Sequence, residues 1–181
     1  MKQLVLTVIG PDKPGLVDSL SKTVLENHGN WLASNLSHLA GHFAGIVQVE
    51  VDETHLQTLQ DALASLEDLS VKVELGAQAL ISDVEKLTLV ITGNDRPGIV
   101  QELSSVIQHK GANILHFTSK QQSAPNWGSP IFNAQATVTL PKGMDADEVI
   151  SALESIANDI FVEAEVDESD SHAYQPSEAS A

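Results

Sequence analysis

Hydrophobic and polar residues alternate along two short β-branched segments, LVLTVIG at residues 4–10 and LTLVITG at residues 87–93. Each segment is typical of a strand that ends at a glycine. Directly after each one, apolar residues recur at the helical spacing i, i+3 and i+7. They are Val17, Leu20 and Val24 after the first segment, and Val100, Leu103 and Ile107 after the second. The pattern therefore predicts a strand followed by an amphipathic helix, twice.

Two more strands, a second helix and a closing strand follow each of these helices. The strand-like stretches lie near 31–39 and 45–51, and again near 114–121 and 132–140. Apolar residues mark the second helices: Leu56, Leu59, Leu63 and Leu66, then Val149, Leu153 and Ile156. The spacing of Thr54 to Gln57 and of Asp145 to Glu148 is that of a capping box. LSVKVEL and IFVEAEV supply the closing strands.

The order β-α-β-β-α-β, present twice, predicts an α+β chain of two tandem ferredoxin-like domains with antiparallel sheets. The segments GPDKPG and GNDRPG begin at Gly10 and Gly93, 83 positions apart (93 − 10 = 83). The pairs that are identical at this offset include Leu4/Leu87, Leu6/Leu89, Asp12/Asp95, Pro14/Pro97, Gly15/Gly98, Val17/Val100, Leu20/Leu103 and Ser21/Ser104. A gapless match of this length predicts an internal duplication.

The duplication divides the chain into a first domain at 1–76, a linker at 77–86 and a second domain at 87–167. The remaining residues, 168–181, contain acids, serine and proline but no aliphatic side chain larger than alanine. Because this tail cannot bury enough apolar surface to offset its chain entropy, we expect it to be disordered.

The composition excludes several classes of protein. Hydrophobic residues make up 42% of the 181, enough for a packed core, yet no apolar run approaches the ~18 residues that span a bilayer. The first residues enter a strand without a cleavable small-residue site. Zero cysteines exclude a disulfide framework, a cysteine-ligated zinc site and a cysteine nucleophile. We therefore expect a cytoplasmic protein with no membrane segment and no cofactor.

The charge argues against direct binding of nucleic acid. Nine basic residues against 25 acidic ones give a formal net charge of −16. Proteins that bind DNA neutralise its phosphates with clustered Lys and Arg, and this chain has no such cluster. If it controls a gene, it must act through another protein.

The repeated loop combines residues that suit a small zwitterion. We expect its proline in the first helical turn, where the missing N–H is not needed, and Gly15 or Gly98 lets the backbone approach another group. The amides that begin the following helix favour an anion. Asp12 or Asp95 either caps those amides or accepts from a ligand ammonium while the amides hold its carboxylate. A good strand-to-helix turn would by itself favour the same residues.

Asparagine recurs after the first helix of each copy, at Asn30 and Asn113. The simpler interpretation is a helix C-cap in the left-handed conformation. The alternative is contact with a ligand.

The order β-α-β-β-α-β, with Gly-x-Asp-[Lys/Arg]-Pro-Gly-[Leu/Ile]-Val at the first turn and Asn at the start of strand 2, resembles the ACT domain. That small regulatory module senses amino acids. Two tandem copies without a catalytic domain resemble a group of bacterial transcriptional repressors, and so does the segment SPIFNAQATVTLP. The resemblance covers about residues 3–167.

This resemblance implies ACT domains that pair side by side into a continuous sheet, with effectors bound between a first loop and a neighbouring strand 2. It implies a small amino acid such as glycine as the signal. It further implies a repressor of glycine cleavage genes that binds a transcriptional activator and not DNA. A homo-oligomer formed through sheet edges is compatible with this arrangement.

The ligand-binding residues that the resemblance implies are Asp12, Lys13, Gly15, Leu16 and Asn30 in the first copy, and Asn94, Asp95, Arg96, Gly98, Ile99 and Asn113 in the second. At one position of the loop the first copy has Pro11 and the second has Asn94. The proline lacks the backbone donor and the side-chain amide that asparagine provides. Arg96 is the only arginine in the chain, and its planar fork suits a carboxylate better than Lys13 does. We therefore expect stronger ligand binding in the second copy.

The residues favour a regulator over an enzyme, because the chain has no nucleophile elbow, P-loop or dinucleotide fingerprint. The even spacing of His38 and His42 on a predicted hairpin suits a zinc pair or, more simply, two solvent-facing residues, and we expect no metal site. The leading hypothesis is a non-enzymatic regulator that reads a small amino acid and contacts a protein. The alternatives are an ACT-type subunit that controls a metabolic enzyme directly, and a hydrolase or transferase with an unrecognised site.

The second copy has a longer hairpin loop. Val49 and Val51 align with Val138 and Leu140 at an offset of 89, so the second hairpin carries six extra residues (89 − 83 = 6). They lie in QSAPNWGSPI, which holds Trp127, a residue type that is enriched in binding hot spots. We expect Trp127 to contact the protein partner, unless it folds back onto its own sheet.

Overall fold

A computed structural model describes residues 1–77, 85–123 and 129–165 of the chain. The chain separates into two compact units: unit 1, Met1–Leu80, and unit 2, Ile81–Ala181. Most of the predicted linker at 77–86 and all of the predicted tail at 168–181 lie outside the described residues.

Unit 1 is a four-stranded antiparallel sheet with two helices. Its elements are β1 Lys2–Pro11, α1 Leu16–Glu26, β2 Asn30–Leu39, β3 His42–Val51, a 3-10 turn Glu53–His55, α2 Leu56–Ala64 and β4 Ser70–Leu75. The strand order is β2-β3-β1-β4, which places β1 inside the sheet and β2 and β4 at its edges.

Unit 2 repeats this order. Its elements are β5 Lys86–Asn94, α3 Ile99–His109, β6 Asn113–Gln122, β7 Ile131–Thr139, α4 Ala146–Glu154 and β8 Phe161–Glu165, and its strand order is β6-β7-β5-β8. The prediction of two tandem βαββαβ folds with antiparallel sheets is confirmed.

One face of each sheet forms the core against the helices. In unit 1, Leu4, Leu6 and Val8 alternate along β1 and are fully buried, because successive strand residues point to opposite faces. Leu20 of α1 and Leu59 of α2 join the same cluster. The corresponding cluster of unit 2 includes Leu89, Ile91, Leu103, Ile107, Val149 and Leu153. The apolar periodicity therefore identified most of each buried face. The predicted positions of Val17 and Val100 are wrong, since these residues are 44% and 43% exposed and Leu16 and Ile99 are buried at the start of the helices.

The two units share a β-bulge near the start of their second strand. The register shifts between Trp31 and Ala33 in β2 and between Ile114 and His116 in β6. The bulged residues, Leu32 and Leu115, are 41% and 49% exposed. A bulge adds one residue to one strand and turns a side chain out of its alternation, which explains the two exposed leucines.

The helix caps differ in part from those predicted. Asp52 makes the cap of the 3-10 turn, since its Oδ1 accepts from the backbone N–H of Thr54 at 3.0 Å and from the Thr54 hydroxyl at 2.8 Å. The predicted cap at Thr54 is therefore wrong, because Asp52, two residues earlier, caps the turn. The cap at Asp145 is confirmed, and its Oδ1 accepts from the N–H of Asp147 at 3.1 Å.

The helices of both units are short. Each spans 9 or 11 residues. Within the described residues, no helix has the length and apolar content to cross a membrane.

Candidate functional site

Each repeated segment leaves an inner strand and enters a helix. Loop 1, residues 12–15, joins β1 to α1, and loop 2, residues 95–98, joins β5 to α3. Gly15 and Gly98 are the N-cap residues of the helices, with φ of 90° and 91°. A side chain with a Cβ is strained at such angles, so both turns need glycine.

Loop 1 and loop 2 are tied to the following hairpin through their backbone. The N–H of Asp12 donates to the carbonyl of Gly41 at 3.0 Å, and the N–H of Asp95 donates to that of Pro130 at 2.8 Å. Gly41 follows Ala40 in the β2–β3 turn, and both residues have positive φ, at 78° and 50°. The backbone of each aspartate is therefore held by the connection between the second and third strands of its unit.

Among the described residues, no side chain caps the N-terminus of α1 or α3. Asp12 and Asp95 therefore do not cap the amides that begin the following helix. Pro14 and Pro97 precede the glycine N-caps and lie outside the first helical turn, so the expected placement of the prolines is wrong. The left-handed glycine lets the chain change direction before the helix begins.

Each aspartate faces the end of the second strand of its own unit instead. Oδ2 of Asp12 lies 3.6 Å from Nε2 of His38. Nε2 of Gln121 donates to Oδ2 of Asp95 at 2.5 Å. His38 and Gln121 are equivalent, since they too are 83 positions apart (121 − 38 = 83). The contact between the loop aspartate and strand 2 is therefore common to both units, with a different partner in each.

The basic residues of the two loops have different acidic partners. Nζ of Lys13 pairs with Oδ2 of Asp68, which lies just before β4. Arg96 donates from Nη1 and Nη2 to the two carboxylate oxygens of Glu102, at 2.8 and 2.6 Å. Glu102 is in the first turn of α3, and its equivalent in unit 1 is Ser19 (102 − 83 = 19), so the second pairing exists only in unit 2.

The Arg96–Glu102 pair also perturbs both ionisations. The hydrogen bonds from Arg96 hold the pKa of Glu102 below its ordinary value. The bonds to Glu102 raise the pKa of Arg96 in turn, and the negative charge of Asp159 adds a smaller contribution. Both groups therefore stay charged at neutral pH.

The difference between Pro11 and Asn94 has a structural consequence. The backbone N–H of Asn94 donates to Oδ2 of Asp159 at 3.2 Å. Proline has no such donor, and in unit 1 the ion pair of Lys13 with Asp68 takes its place. A Cβ added to Gly10 would overlap the backbone oxygen of Asp68, and one added to Gly93 would lie 3.2 Å from that of Asp159. The segment before the closing strand therefore packs against the end of the first strand in both units.

Asn30 and Asn113 begin β2 and β6 and are not helix C-caps. The residues in the left-handed conformation are His28, with φ of 61°, and Gly111, with φ of 74°. The C-cap interpretation is wrong, because each helix ends two or more residues earlier. Nδ2 of Asn30 donates to Oε1 of Glu50 at 3.0 Å.

A single unit does not bring Asn30 and loop 1 together. Asn30 and His38 are at opposite ends of β2, and Asp12 lies beside His38. At ~3.3 Å per residue the two ends are roughly 25 Å apart. Asn113 and loop 2 are separated in the same way by β6, since Gln121 contacts Asp95.

Two further candidates belong to the cores. Leu16 and Ile99 are buried, at 4% and 3% exposure. Leu16 belongs to the core cluster of unit 1 and Ile99 to that of unit 2, so their side chains are not available to a ligand at the surface.

The structure separates the two histidines that were considered as a zinc pair. Leu39 pairs with His42 and His38 with Phe43, so His38 and His42 point to opposite faces of the sheet. Nδ1 of His42 lies 3.4 Å from the carbonyl of Ala40. In the described ranges, no group of three or more His, Cys, Asp or Glu is placed to hold a metal ion.

Several residues of the site were missed in the sequence, and Trp127 lies outside the described residues. The missed residues are His38, which contacts Asp12, together with Gln121, Asp68, Asp159 and Glu102. One signal in the sequence could have indicated the contacts of the two aspartates: His38 and Gln121 are equivalent positions of the repeat.

Comparison with known proteins agrees with the resemblance to the ACT domain. Residues 2–76 match the ACT domain family. The glycine cleavage system transcriptional repressor of Escherichia coli (strain K12) is 21% identical over 167 residues, which cover 90% of this chain and 88% of that protein. The repressor of the same name from Shigella flexneri gives the same values. The family match covers the first unit, and the similarity to the two repressors extends over both units.

Two solved structures have the same fold. An unknown protein from Galdieria sulphuraria superposes with a TM-score of 0.79 at 27% identity, covering 91% of this chain and 97% of that one. A protein provisionally assigned as a glycine cleavage system transcriptional repressor gives a TM-score of 0.66 at 13% identity, covering 92% and 98%. At that identity the second likeness supports the tandem fold alone.

Proposed function

We propose that this chain, which carries an ACT domain at residues 2–76, is a non-enzymatic regulator that senses a small amino acid such as glycine. In this proposal it represses glycine cleavage genes by binding a transcriptional activator protein and not DNA. The observation that carries the proposal is the similarity to the E. coli repressor over 90% of this chain and 88% of that protein. An activity of this kind needs a ligand site, a protein surface and no catalytic group.

The loops offer complementary charge to an amino acid. The carboxylate of Asp12 is 44% exposed and can accept from an ammonium group. Beside it, α1 begins at Gly15 without a side-chain cap among the described residues, and the amides of a helix N-terminus favour a carboxylate. Gly15 leaves the approach to these amides open, since a Cβ at this position would have no atom within 4 Å apart from those of its chain neighbours. Loop 1 therefore suits a compact zwitterion.

The basic surface is poorly suited to nucleic acid. Among the described residues, ion pairs with acids of the same unit engage Lys2, Lys13, Lys22, Lys72 and Arg96. With a net charge of −16, the chain would repel the phosphate backbone. A protein partner is the target that remains.

We also propose that a second copy of the chain pairs along the β2 edge. β2 contains no Asp, Glu, Lys or Arg over its ten residues, whereas the opposite edge, β4, carries Lys72 and Glu74. Charged residues protect an edge strand from pairing, and β2 is the edge of unit 1 that lacks them. Antiparallel pairing there would bring Asn30 of one copy to the loop 1 end of the other. Asn30 would then reach the ligand, which it cannot do within its own unit.

A pull-down from native extract tests the partner. The full chain serves as bait with and without glycine, and Asp12→Asn/Asp95→Asn serves as the matched control. Recovery of a transcriptional activator in a glycine-dependent manner by the wild type alone supports the proposal. Recovery of a metabolic enzyme would instead support the ACT-type regulatory subunit. A purified chain that shifts promoter DNA by itself would contradict the protein-only mechanism.

A further inference from the structure

Glu102 engages the only arginine of the chain through both terminal nitrogens. The two bonds, at 2.8 and 2.6 Å, have the parallel bidentate geometry that makes arginine–carboxylate pairs strong. The side chains are 33% and 39% exposed, so the pair lies at the surface beside loop 2. An approaching ligand therefore meets a guanidinium group whose Nη1 and Nη2 already donate to a carboxylate.

Unit 1 has no equivalent of this arrangement. Ser19 stands in place of Glu102, and Lys13 in place of Arg96. Lys13 pairs with Asp68, which lies just before β4. The Asp68 equivalent in unit 2, Asp159, accepts from the backbone of Asn94 instead. An internal carboxylate on the guanidinium is thus particular to loop 2.

We propose that Glu102 is an internal competitor for the ligand carboxylate and sets the affinity and specificity of loop 2. The proposal rests on the amino-acid binding proposed above. The carboxylate of an amino acid would use the same two guanidinium nitrogens, and one fork accepts one bidentate carboxylate at a time. Glu102 is tethered six residues from Arg96, so it competes at an effective concentration on the order of millimolar or higher. Loop 2 then responds only to abundant ligand, and Arg96 does not make it the stronger site.

The single arginine makes a direct test practical, because ¹⁵N-arginine labelling gives one side-chain Nε–Hε resonance in the full chain. This resonance is followed by NMR during titration with sodium acetate and, separately, with glycine. The variants are Glu102→Ser, which copies unit 1, and Glu102→Gln, which keeps the shape and removes the charge. Glu148→Gln is the control, since it removes an exposed acid from the first turn of α4 in the same unit.

In both Glu102 variants we expect acetate to move the resonance at roughly three- to tenfold lower concentration than in the wild type and in Glu148→Gln. Equal midpoints in all four proteins would overturn the proposal, whatever glycine does. If acetate behaves as expected but glycine moves no resonance in any of them, amino-acid binding at loop 2 fails while the competition by Glu102 stands. A thermal melt of each variant identifies any that does not fold, and the remaining Glu102 variant then decides the outcome.

The reciprocal substitution, which introduces the arginine–glutamate pair into unit 1, provides a second test. Lys13→Arg/Ser19→Glu installs the pair in loop 1, and Lys13→Arg alone serves as its control. We expect acetate to move the new arginine resonance at roughly three- to tenfold higher concentration in the double variant than in the single one. Equal concentrations in both would contradict competition by a glutamate at this position.

Discussion

Oδ2 of Asp12 lies 3.6 Å from Nε2 of His38, so the carboxylate of loop 1 lies against the end of β2. The equivalent residues of unit 2, Asp95 and Gln121, keep the same relationship through a hydrogen bond of 2.5 Å. The loop aspartate therefore has a fixed direction in both units although its partner has changed. This direction is what would present the carboxylate to a ligand ammonium.

His38→Ala tests this positioning in loop 1. We expect glycine binding to loop 1 to weaken by roughly two- to fivefold, because an exposed side-chain contact of this kind contributes up to about 1 kcal/mol. His38→Gln should restore most of the binding, since it copies Gln121. Calorimetry measures both variants, with His55→Ala as the control from the opposite end of the sheet. Unchanged binding in His38→Ala would show that Asp12 does not depend on its partner.

Gly10→Ala should destabilise unit 1 more than Gly93→Ala destabilises unit 2. A Cβ at Gly10 would overlap the backbone oxygen of Asp68, whereas a Cβ at Gly93 would lie 3.2 Å from the oxygen of Asp159. Overpacking against backbone typically costs about 1–3 kcal/mol, which we expect for Gly10→Ala. Urea unfolding of the two variants measures the difference. A larger loss for Gly93→Ala would contradict the packing described here.

The Arg96–Glu102 pair should make stability depend on pH. The pKa of Glu102 is lower in the folded chain than in the unfolded one, because Arg96 donates to it. Its contribution is therefore present above the unfolded pKa, near 4.3, and is lost as the pH falls through the lower folded value. The melting temperatures of the wild type and Glu102→Gln should differ at pH 7 and converge as the pH falls below 4. A difference that does not change with pH would exclude the ion pair as its source.

The periodicity of the sequence predicted the fold well because the relevant interactions are local. Leu4, Leu6 and Val8 alternate as a half-buried strand requires, and Leu20 and Val24 repeat as a buried helix face requires. The repeat at offset 83 added the tandem arrangement. Element order and most of the buried positions could thus be predicted without any long-range contact. Val17 and Val100 were placed on the buried helix faces by their spacing but are exposed, because Leu16 and Ile99 fill the core at the start of each helix.

The candidate site could be predicted only in part, because its contacts join residues that are distant in sequence. The loops were located by Asp12 and Asp95, but their partners His38 and Gln121 are 26 positions away along the chain. Spacing alone also suggested that Asn30 capped α1, although His28 takes the left-handed conformation and Asn30 begins a strand. Such assignments depend on where a helix ends, which the apolar periodicity does not fix to one residue.

Trp127→Ala tests the partner contact proposed for the longer hairpin loop of the second copy. We expect partner recovery in the pull-down to fall at least tenfold, since a tryptophan at a binding hot spot contributes about 2 kcal/mol or more. The melting temperature should stay within a degree or two of the wild type. Trp31→Ala is the control, because Trp31 packs against the core of unit 1 and its loss should lower the melting temperature. A lowered melting temperature in Trp127→Ala with intact partner binding would show that Trp127 is part of the core.

The most direct test of amino-acid sensing is calorimetric titration of glycine into the wild type, Asp12→Asn, Asp95→Asn and the double variant. Asp18→Asn, which removes an acid from the first turn of α1, serves as the control. We expect binding by the wild type and the control, weaker binding by each single variant and none by the double variant, with all five proteins folded by circular dichroism. Equal glycine affinity in the double variant and the wild type would contradict amino-acid sensing by these loops, and so would a wild type that binds no glycine.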